Sequence, residues 1–198
     1  MNGALRDERS IRSKGACTRM KKTALIVVTV ALAVVGALFF VGQNSARRIQ
    51  VIREGDRAPE FRLLSLDGRT VDLSSFRGKV VMVHFWATWC PPCVEEIPTL
   101  ESLYRAYFGK DLEVLAVSVD KGGAGAVGQF MQKNRFALPV LLNPNQSVSR
   151  AYGTLKFPET YLVDREGVVR RKIIGAVDWM SPAAQQIIQA MLEKKLQK

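Results

Sequence analysis

Apolar and polar positions along residues 55–198 alternate in a pattern that predicts an α/β domain. Residues 80–86 are apolar at every position except His84, which is typical of a central strand covered on both faces. From 91 to 108, apolar residues recur every three or four positions, and this spacing predicts an amphipathic helix. A second apolar run follows at 112–119. Because a helix separates the two strands, we expect them to run parallel through a right-handed crossover.

Turn residues and shorter periodic segments complete the predicted domain. Asp67-Gly68 lies between two strand-like segments and predicts a tight hairpin, because glycine readily adopts the positive φ of such a turn. A second hairpin is predicted around the turn at 164–167. The remaining predicted elements are a helix at 127–134 after a flexible glycine-rich stretch, a strand at 139–142, a helix at 146–152, strands at 159–163 and 168–174, and a helix at 182–196.

An apolar segment near the amino terminus has the length of a membrane span. Residues 23–42 contain no charged side chain and, at about 1.5 Å rise per residue, would cross about 30 Å of hydrocarbon. Seven Lys and Arg residues precede the segment and only three arginines follow it closely, so the positive-inside rule predicts a cytoplasmic amino terminus. A cleaved signal peptide is the alternative, but the segment is longer than a usual signal core and no good cleavage pattern precedes Ala46.

The charge distribution and the apolar segment together predict a tethered single domain. The net charge is +11, yet residues 55–198 carry nineteen basic against fifteen acidic residues, so the excess lies largely before the domain. We therefore expect no nucleic-acid partner. Met20-Lys21-Lys22 resembles the start of a secretory signal or anchor, so 1–19 is either a short tail or an upstream misassigned start. The predicted segments are a basic cytoplasmic tail at 1–22, a transmembrane anchor at 23–42, a linker at 43–54 and one domain at 55–198.

Two cysteines separated by two prolines supply the candidate chemistry. Cys90 and Cys93 follow directly after the predicted strand at 80–86, where the next helix begins. Free backbone N–H groups and the positive end of the helix dipole stabilise a thiolate there, so the pKa of Cys90 is expected below the roughly 8.5 of a free thiol. Pro91 and Pro92 fit the first helical turn, whose N–H groups have no intrahelical acceptor. Cys93, one turn later, is placed to resolve a mixed disulfide.

A zinc site and an inert structural disulfide are the alternatives for this cysteine pair. A zinc site needs two further ligands, and the chain offers only Cys17, beyond the apolar segment, and one histidine. Reversible redox exchange is therefore the favoured interpretation. It requires no metal, and no cofactor beyond the Cys90–Cys93 disulfide itself. Cys17 is interpreted as an ordinary reduced thiol on the cytoplasmic side.

The residues around the cysteine pair resemble a known family. Residues 85–93, followed by Glu96 and Pro98, are similar to the TlpA/ResA branch of membrane-anchored thioredoxin-like proteins, which includes the CcmG (DsbE) type of cytochrome c maturation thioredoxins. The similarity runs from residue 55 to residue 195 and includes Leu138-Pro139 and the segment 157–164. The resemblance implies a thioredoxin-like α/β fold with an N-terminal β-hairpin extension and a central helix and strand insertion, preceded by a single transmembrane helix.

The resemblance also implies roles for individual residues. Pro158 would be a cis-proline beside the cysteine pair and, with Phe157, would shape the groove for an extended partner polypeptide. Glu96, one turn beyond Cys93, would influence proton transfers of the pair, whereas in isolation it is a solvated helix residue. Glu159 resembles the CcmG pattern and would tune the site or receive a partner. Trp89, Pro91 and Pro92 belong to the motif itself and are included among the residues that support the redox pair.

His84 departs from the family pattern. It aligns with a position where thioredoxins carry a buried acid that assists the resolving cysteine and where many TlpA-like proteins carry asparagine. An imidazole there would be able to accept a proton near neutral pH. The alternative is a neutral histidine that is hydrogen-bonded inside the sheet.

These observations predict a thiol-disulfide oxidoreductase, tethered to the cytoplasmic membrane by a single pass, with its catalytic domain in the periplasm or an equivalent extracytoplasmic space. We expect it to act as a protein disulfide reductase through Cys90 and Cys93. The resemblance implies apocytochrome c or metal-site assembly proteins as partners, and a membrane thiol electron donor. A disulfide oxidase or isomerase and a non-catalytic tethered chaperone or metallochaperone are the alternatives. A peroxiredoxin is disfavoured, because Ala87 stands where its cysteine motif requires threonine.

Overall fold

The computed structural model describes residues 27–37 and 51–193, which belong to two compact units that divide after Arg48. In the first unit, residues 27–37 form helix α1, whose side chains are exposed. Within the described ranges, no helix combines the length and apolarity that a membrane crossing requires. The remainder of the predicted anchor at 23–42, the predicted tail at 1–22 and most of the predicted linker lie outside the described residues.

A seven-stranded mixed sheet forms the centre of the second unit. Its strands are β1 (Arg62–Ser65), β2 (Thr70–Asp72), β3 (Val80–Trp86), β4 (Leu112–Ser118), β5 (Val140–Leu142), β6 (Glu159–Val163) and β7 (Val169–Ile174). Across the sheet the order is β2-β1-β5-β4-β3-β6-β7. The β3–β4 and β4–β5 pairs are parallel, and the other pairs are antiparallel. Strand β3 is therefore central, and all seven of its residues are buried, as its continuous apolar run predicts.

Four α-helices accompany the sheet in this unit. They are α2 (Pro91–Tyr107), α3 (Gly123–Asn134), α4 (Ser147–Ala151) and α5 (Pro182–Glu193), and a 3₁₀ turn spans Leu73–Phe76. Four residues separate the end of β3 from the start of α2, which connects β3 to β4. The two strands are parallel, as predicted. Helix α2 buries Ile97, Leu100 and Leu103 in the core. The predicted helix at 182–196 is confirmed up to Glu193, where the described residues end.

The predicted hairpin extension and the predicted insertion meet at one side of the sheet. Strands β1 and β2 are joined through Gly68, whose φ is +86°, and β1 also pairs antiparallel with β5. Strand β5 in turn pairs with β4. Strand β5 of the predicted insertion, which follows α3, thus links the hairpin to the central strands. This arrangement agrees with the thioredoxin-like fold that the resemblance implies.

Two boundaries differ from the sequence prediction by more than one residue. Helix α3 begins at Gly123, inside the stretch that we predicted to be flexible, because burial of Val127 and Met131 outweighs the low helix propensity of glycine. At the start of the domain, Ile52 is buried and its N–H donates to the Tyr152 carbonyl at 3.1 Å. The packed part of the domain therefore includes residues of the predicted linker.

Candidate functional site

Cys90 and Cys93 form a disulfide at the N-terminus of α2, with their Cα atoms 5.3 Å apart. Cys90 is the N-cap residue, and Pro91 and Pro92 occupy the first two helical positions, where no backbone N–H is needed. Cys90 keeps 5% of its surface exposed, whereas Cys93 is completely buried. Cys90 is thus the more accessible of the two cysteines, which fits Cys90 as the attacking cysteine and Cys93 as the resolving one.

The loop before β6 lies directly against this disulfide. The Phe157–Pro158 peptide bond is cis, as the resemblance implies. The Cys90 sulfur lies 3.6 Å from the Phe157 carbonyl oxygen. The Phe157 ring packs edge-on against the Trp89 ring, with 6.1 Å between the ring centroids. The Pro158 carbonyl accepts a hydrogen bond from the Gly175 N–H at 2.9 Å. The contacts of this loop bring together four residues that the motif and the resemblance predict here, namely Trp89, Cys90, Phe157 and Pro158.

Glu96 lies inside the protein rather than on the solvated face of α2. Only 3% of its surface is exposed, and its Oε1 accepts a hydrogen bond of 2.5 Å from the Trp179 indole N–H. Its Oε2 is buried and has no hydrogen-bond partner among the described residues. Burial raises the pKa of Glu96 to about 7, although the Trp179 indole and the Val177 backbone N–H act in the opposite direction. Glu96 is therefore a carboxyl group that changes protonation near neutral pH, one helical turn from Cys93.

His84 lies fully buried in the central strand. Its Nδ1 is 2.8 Å from the Thr160 hydroxyl on the neighbouring strand, and its Nε2 has no partner within the residues described. Burial lowers the pKa of His84 to about 3, because an uncompensated imidazolium is strongly disfavoured away from water. Of the two interpretations of His84, the geometry favours the neutral histidine that is hydrogen-bonded inside the sheet.

Glu159 follows Pro158 and is also withdrawn from solvent. It forms an ion pair of 2.7 Å with Lys172, and its Oε1 accepts a hydrogen bond of 3.2 Å from the Tyr161 hydroxyl. Burial opposes the charge on Lys172, but hydrogen bonds to Glu159 and Tyr161 outweigh it and raise the pKa of Lys172. Glu159 therefore supports the base of the Pro158 loop and does not present its carboxylate to the surface.

Asp120 is a supporting residue that the sequence reasoning missed. Its buried carboxylate accepts hydrogen bonds from the Thr88 hydroxyl at 2.6 Å, the Thr88 N–H at 3.1 Å and the Ser118 hydroxyl at 2.7 Å. These bonds hold the segment between β3 and Cys90. A signal was available, because the carboxyl ends of adjacent parallel strands meet at one edge of a sheet, which places residue 120 near residue 88.

Trp179 is the second supporting residue that was missed, and it carried no local signal. It lies 83 residues from Glu96 in the sequence, in the loop between β7 and α5, and only the fold brings the two side chains together. Among the described residues, no three His, Cys, Asp or Glu side chains form a group that could hold a metal ion. The chemistry that this site can perform is exchange between the Cys90–Cys93 pair and an external thiol or disulfide.

Comparisons with known proteins agree with this chemistry. The sequence profile of the AhpC/TSA family matches residues 54–172. The chain is 32% identical over 158 residues to thiol-disulfide oxidoreductase ResA from Bacillus thuringiensis subsp. konkukian, covering 79% of this chain and 91% of the relative. It is 37% identical over 123 residues to ResA from Geobacillus thermodenitrificans, covering 62% of this chain and 70% of that protein.

Solved structures show the same fold. A crystal structure from Chlorobium tepidum, assigned as the thiol:disulfide interchange protein DsbE, superimposes with a TM-score of 0.65 at 33% sequence identity. The superposition covers 71% of this chain and 99% of that one. The thioredoxin-like fold predicted from the sequence is thereby confirmed.

Proposed function

We propose a cellular role that proceeds from one premise: the chain belongs to the AhpC/TSA family and is a thiol-disulfide oxidoreductase. The role is the reduction of disulfides in extracytoplasmic partner proteins. The residues that carry it are Cys90 and Cys93, and a segment at 23–42 tethers the domain to the cytoplasmic membrane.

The observation that carries this proposal is the greater exposure of Cys90 than of Cys93, together with the exposed apolar side chains near it. Cys90 lies against the Phe157 carbonyl, and large apolar side chains on the segments next to the site face solvent instead of the core. Trp89 is 61% exposed, and Leu155, two residues before Phe157, is 71% exposed. Ile174, which is in register with the residue after Pro158, is 63% exposed. Exposed apolar side chains grouped near a reactive site mark contact sites for other proteins, so we propose that the substrate is a protein disulfide rather than a small-molecule disulfide.

The proposed reaction transfers two electrons from the cysteine pair to the partner. The Cys90 thiolate attacks one sulfur of the partner disulfide, and the other partner sulfur leaves as a thiolate. Cys93 then loses its proton and attacks the Cys90 sulfur, which forms the Cys90–Cys93 disulfide and releases the second partner sulfur as a thiolate. Partner thiolates take up protons from the medium and from Glu96. A membrane thiol donor returns two electrons and two protons to the pair before the next turnover.

Support for the compartment comes from the sequence rather than from the described residues. The uncharged segment at 23–42 is preceded by the larger share of positive charge, and this asymmetry favours a cytoplasmic amino terminus. The domain then lies where disulfides form and persist. Apocytochrome c is the partner that the resemblance to cytochrome c maturation thioredoxins favours, and we propose it as the first substrate to test.

A trapping experiment tests the role of the cysteine pair. The full-length chain is prepared with Cys17→Ser in every variant, so that only the active-site sulfurs can react. With Cys93→Ser, we expect a stable mixed disulfide between Cys90 and oxidised apocytochrome c. With Cys90→Ser, we expect none, because Cys93 is buried. Equal trapping by both variants, or no trapping by either, would contradict the proposal.

A further inference from the structure

The loop between β7 and α5 is fastened to α2 mainly through Trp179, and the Thr99 hydroxyl adds a longer bond of 3.4 Å to the Val177 carbonyl. Trp179 is fully buried, and its indole N–H donates to Glu96 Oε1 at 2.5 Å. Its backbone N–H donates to the Thr99 hydroxyl at 3.3 Å, and its carbonyl accepts a hydrogen bond of 2.6 Å from the Gln185 amide. Three separate bonds therefore fix the indole where it meets the Glu96 carboxyl group.

The two oxygens of Glu96 have different surroundings. Oε1 accepts the indole N–H of Trp179, whereas Oε2 is buried without a hydrogen-bond partner in residues 51–193. A protonated carboxyl group accepts hydrogen bonds best at its carbonyl oxygen, so the proton of Glu96 resides on Oε2. A buried polar atom without a partner is rare in folded proteins and calls for an explanation. Proton exchange with the neighbouring cysteine supplies one.

We propose that Trp179 is a positioning residue for thiol-disulfide exchange: its indole holds Glu96 by Oε1 and leaves Oε2 to take the proton of Cys93. The proposal rests on the proposed function, since it concerns a step of the same reaction. Cys93 lies three residues before Glu96 on α2, a spacing that puts side chains on the same helix face. Both side chains are buried, so bulk water is a poor proton acceptor for this cysteine.

The proposed step begins from the mixed disulfide between Cys90 and the partner. The Glu96 carboxylate accepts the proton of the Cys93 thiol at Oε2 and becomes neutral. The Cys93 thiolate attacks the Cys90 sulfur, the Cys90–Cys93 bond forms, and the bond from Cys90 to the partner breaks. The partner sulfur leaves with the electron pair of that bond and is protonated by Glu96 or by solvent. Trp179 exchanges no proton and no electron.

Few other titratable groups near Cys93 can compete with Glu96 as its proton acceptor. On α2, Glu95 is exposed, and in the Trp179 loop, Asp178 is exposed and accepts a hydrogen bond from the Met180 N–H at 2.9 Å. Helix α5 carries one titratable residue within its described length, Glu193 at its end. In the sheet, His84 has its pKa lowered by burial to about 3. Glu96 is thus the group in these surroundings that titrates near pH 7.

The test compares two matched Trp→Phe variants of the full-length chain carrying Cys17→Ser. Each reduced variant is mixed with a peptide that contains one disulfide, and release of the reduced peptide is followed between about pH 5 and pH 9. Trp179→Phe removes the indole N–H, the larger of the two donors that stabilise the Glu96 carboxylate, and leaves the Val177 backbone N–H in place. We therefore expect the inflection of the rate near neutral pH to move upward by about one to two pH units.

Trp86→Phe is the matched control. Trp86 is also fully buried, but its indole N–H has no hydrogen-bond partner in the described part of the chain. We expect this variant to leave the inflection in place. In the double variant Glu96→Gln with Trp179→Phe, we expect the same pH profile as in Glu96→Gln alone, because the titrating group is already absent.

A second measurement does not depend on the folding of Trp179→Phe. In the otherwise unchanged protein, the nuclear magnetic resonance shift of the Trp179 indole proton should titrate with an apparent pKa of about 7. In Glu96→Gln it should not titrate. An indole shift that is independent of pH, or an inflection that Trp179→Phe does not move, would overturn the positioning role. If Cys93→Ser still traps the partner in that case, the proposed function stands; if trapping also fails, the function falls as well.

Discussion

The buried histidine makes the stability of the domain depend on pH in a way that can be isolated. His84 is the only histidine of the chain, and burial lowers its pKa to about 3 from its ordinary value of 6.5. Between these two values the unfolded chain binds a proton at His84 that the native protein does not bind. The free energy of unfolding therefore falls as the pH falls below 6.5.

The magnitude follows from the width of that pH window. Each pH unit between the two pKa values changes the free energy of unfolding by about 1.4 kcal/mol. At about pH 4.5 the native state should therefore have lost about 2.5 kcal/mol through His84 alone. Domains of this kind are stable by only about 5–15 kcal/mol, so the loss is a large part of the total.

The assay is urea unfolding of the full-length chain at about pH 7 and about pH 4.5. Tryptophan fluorescence reports on this domain, because Trp86, Trp89 and Trp179 all lie in it. The comparison is with His84→Asn, which titrates nowhere in this range, so contributions of the carboxyl groups cancel in the difference. Between the two pH values, we expect His84→Asn to gain about 2.5 kcal/mol relative to the unchanged protein.

The reasoning would be refuted if the difference in the free energy of unfolding between His84→Asn and the unchanged protein were the same at both pH values, within about 0.5 kcal/mol. It would mean that native His84 takes up a proton as readily as the unfolded chain does. The imidazole would then be available as a proton acceptor near neutral pH and would compete with Glu96 for that role.

Three further predictions concern the supporting contacts. Thr88→Val removes a hydrogen bond to the buried Asp120 carboxylate and should lower the free energy of unfolding by about 2 kcal/mol in urea titrations, whereas Thr88→Ser should largely retain it. Lys172→Met leaves buried Glu159 without its ion-pair partner and should cost about 3 kcal/mol or more by the same method; adding Glu159→Gln should recover part of the loss, and no recovery would contradict the pairing. Trp89→Ala should raise the KM for a disulfide-containing protein about tenfold, without changing the rate with oxidised dithiothreitol, because Trp89 is exposed beside Cys90.

The sequence predicted most of the local structure because local patterns decide it. Strand β3 was placed at its observed bounds by an unbroken apolar run, and the first hairpin by a turn that needs the positive φ of Gly68. The cysteine pair was recognised from its own spacing and its place before a helix. The cis bond before Pro158 came from the resemblance, since no local pattern distinguishes it from an ordinary trans bond.

The contacts that tune the site could not be predicted, because they join distant parts of the chain. The Trp179–Glu96 bond spans 83 residues and the Thr88–Asp120 bonds span 32. The burial of Glu96 is a further example, since its position on α2 alone is equally consistent with a solvated face. The start of helix α3 could not be predicted for the same reason, because tertiary burial of Val127 outweighs the low helix propensity of its glycines.

The reduction potential of the Cys90–Cys93 pair tests the central claim most directly. The full-length chain with Cys17→Ser is equilibrated in glutathione or dithiothreitol buffers, and the oxidised fraction is read from tryptophan fluorescence. A protein disulfide reductase that depends on a dedicated electron donor should have a potential near or below about −270 mV. A value near −120 mV would contradict the proposed direction and identify the protein as a disulfide oxidase.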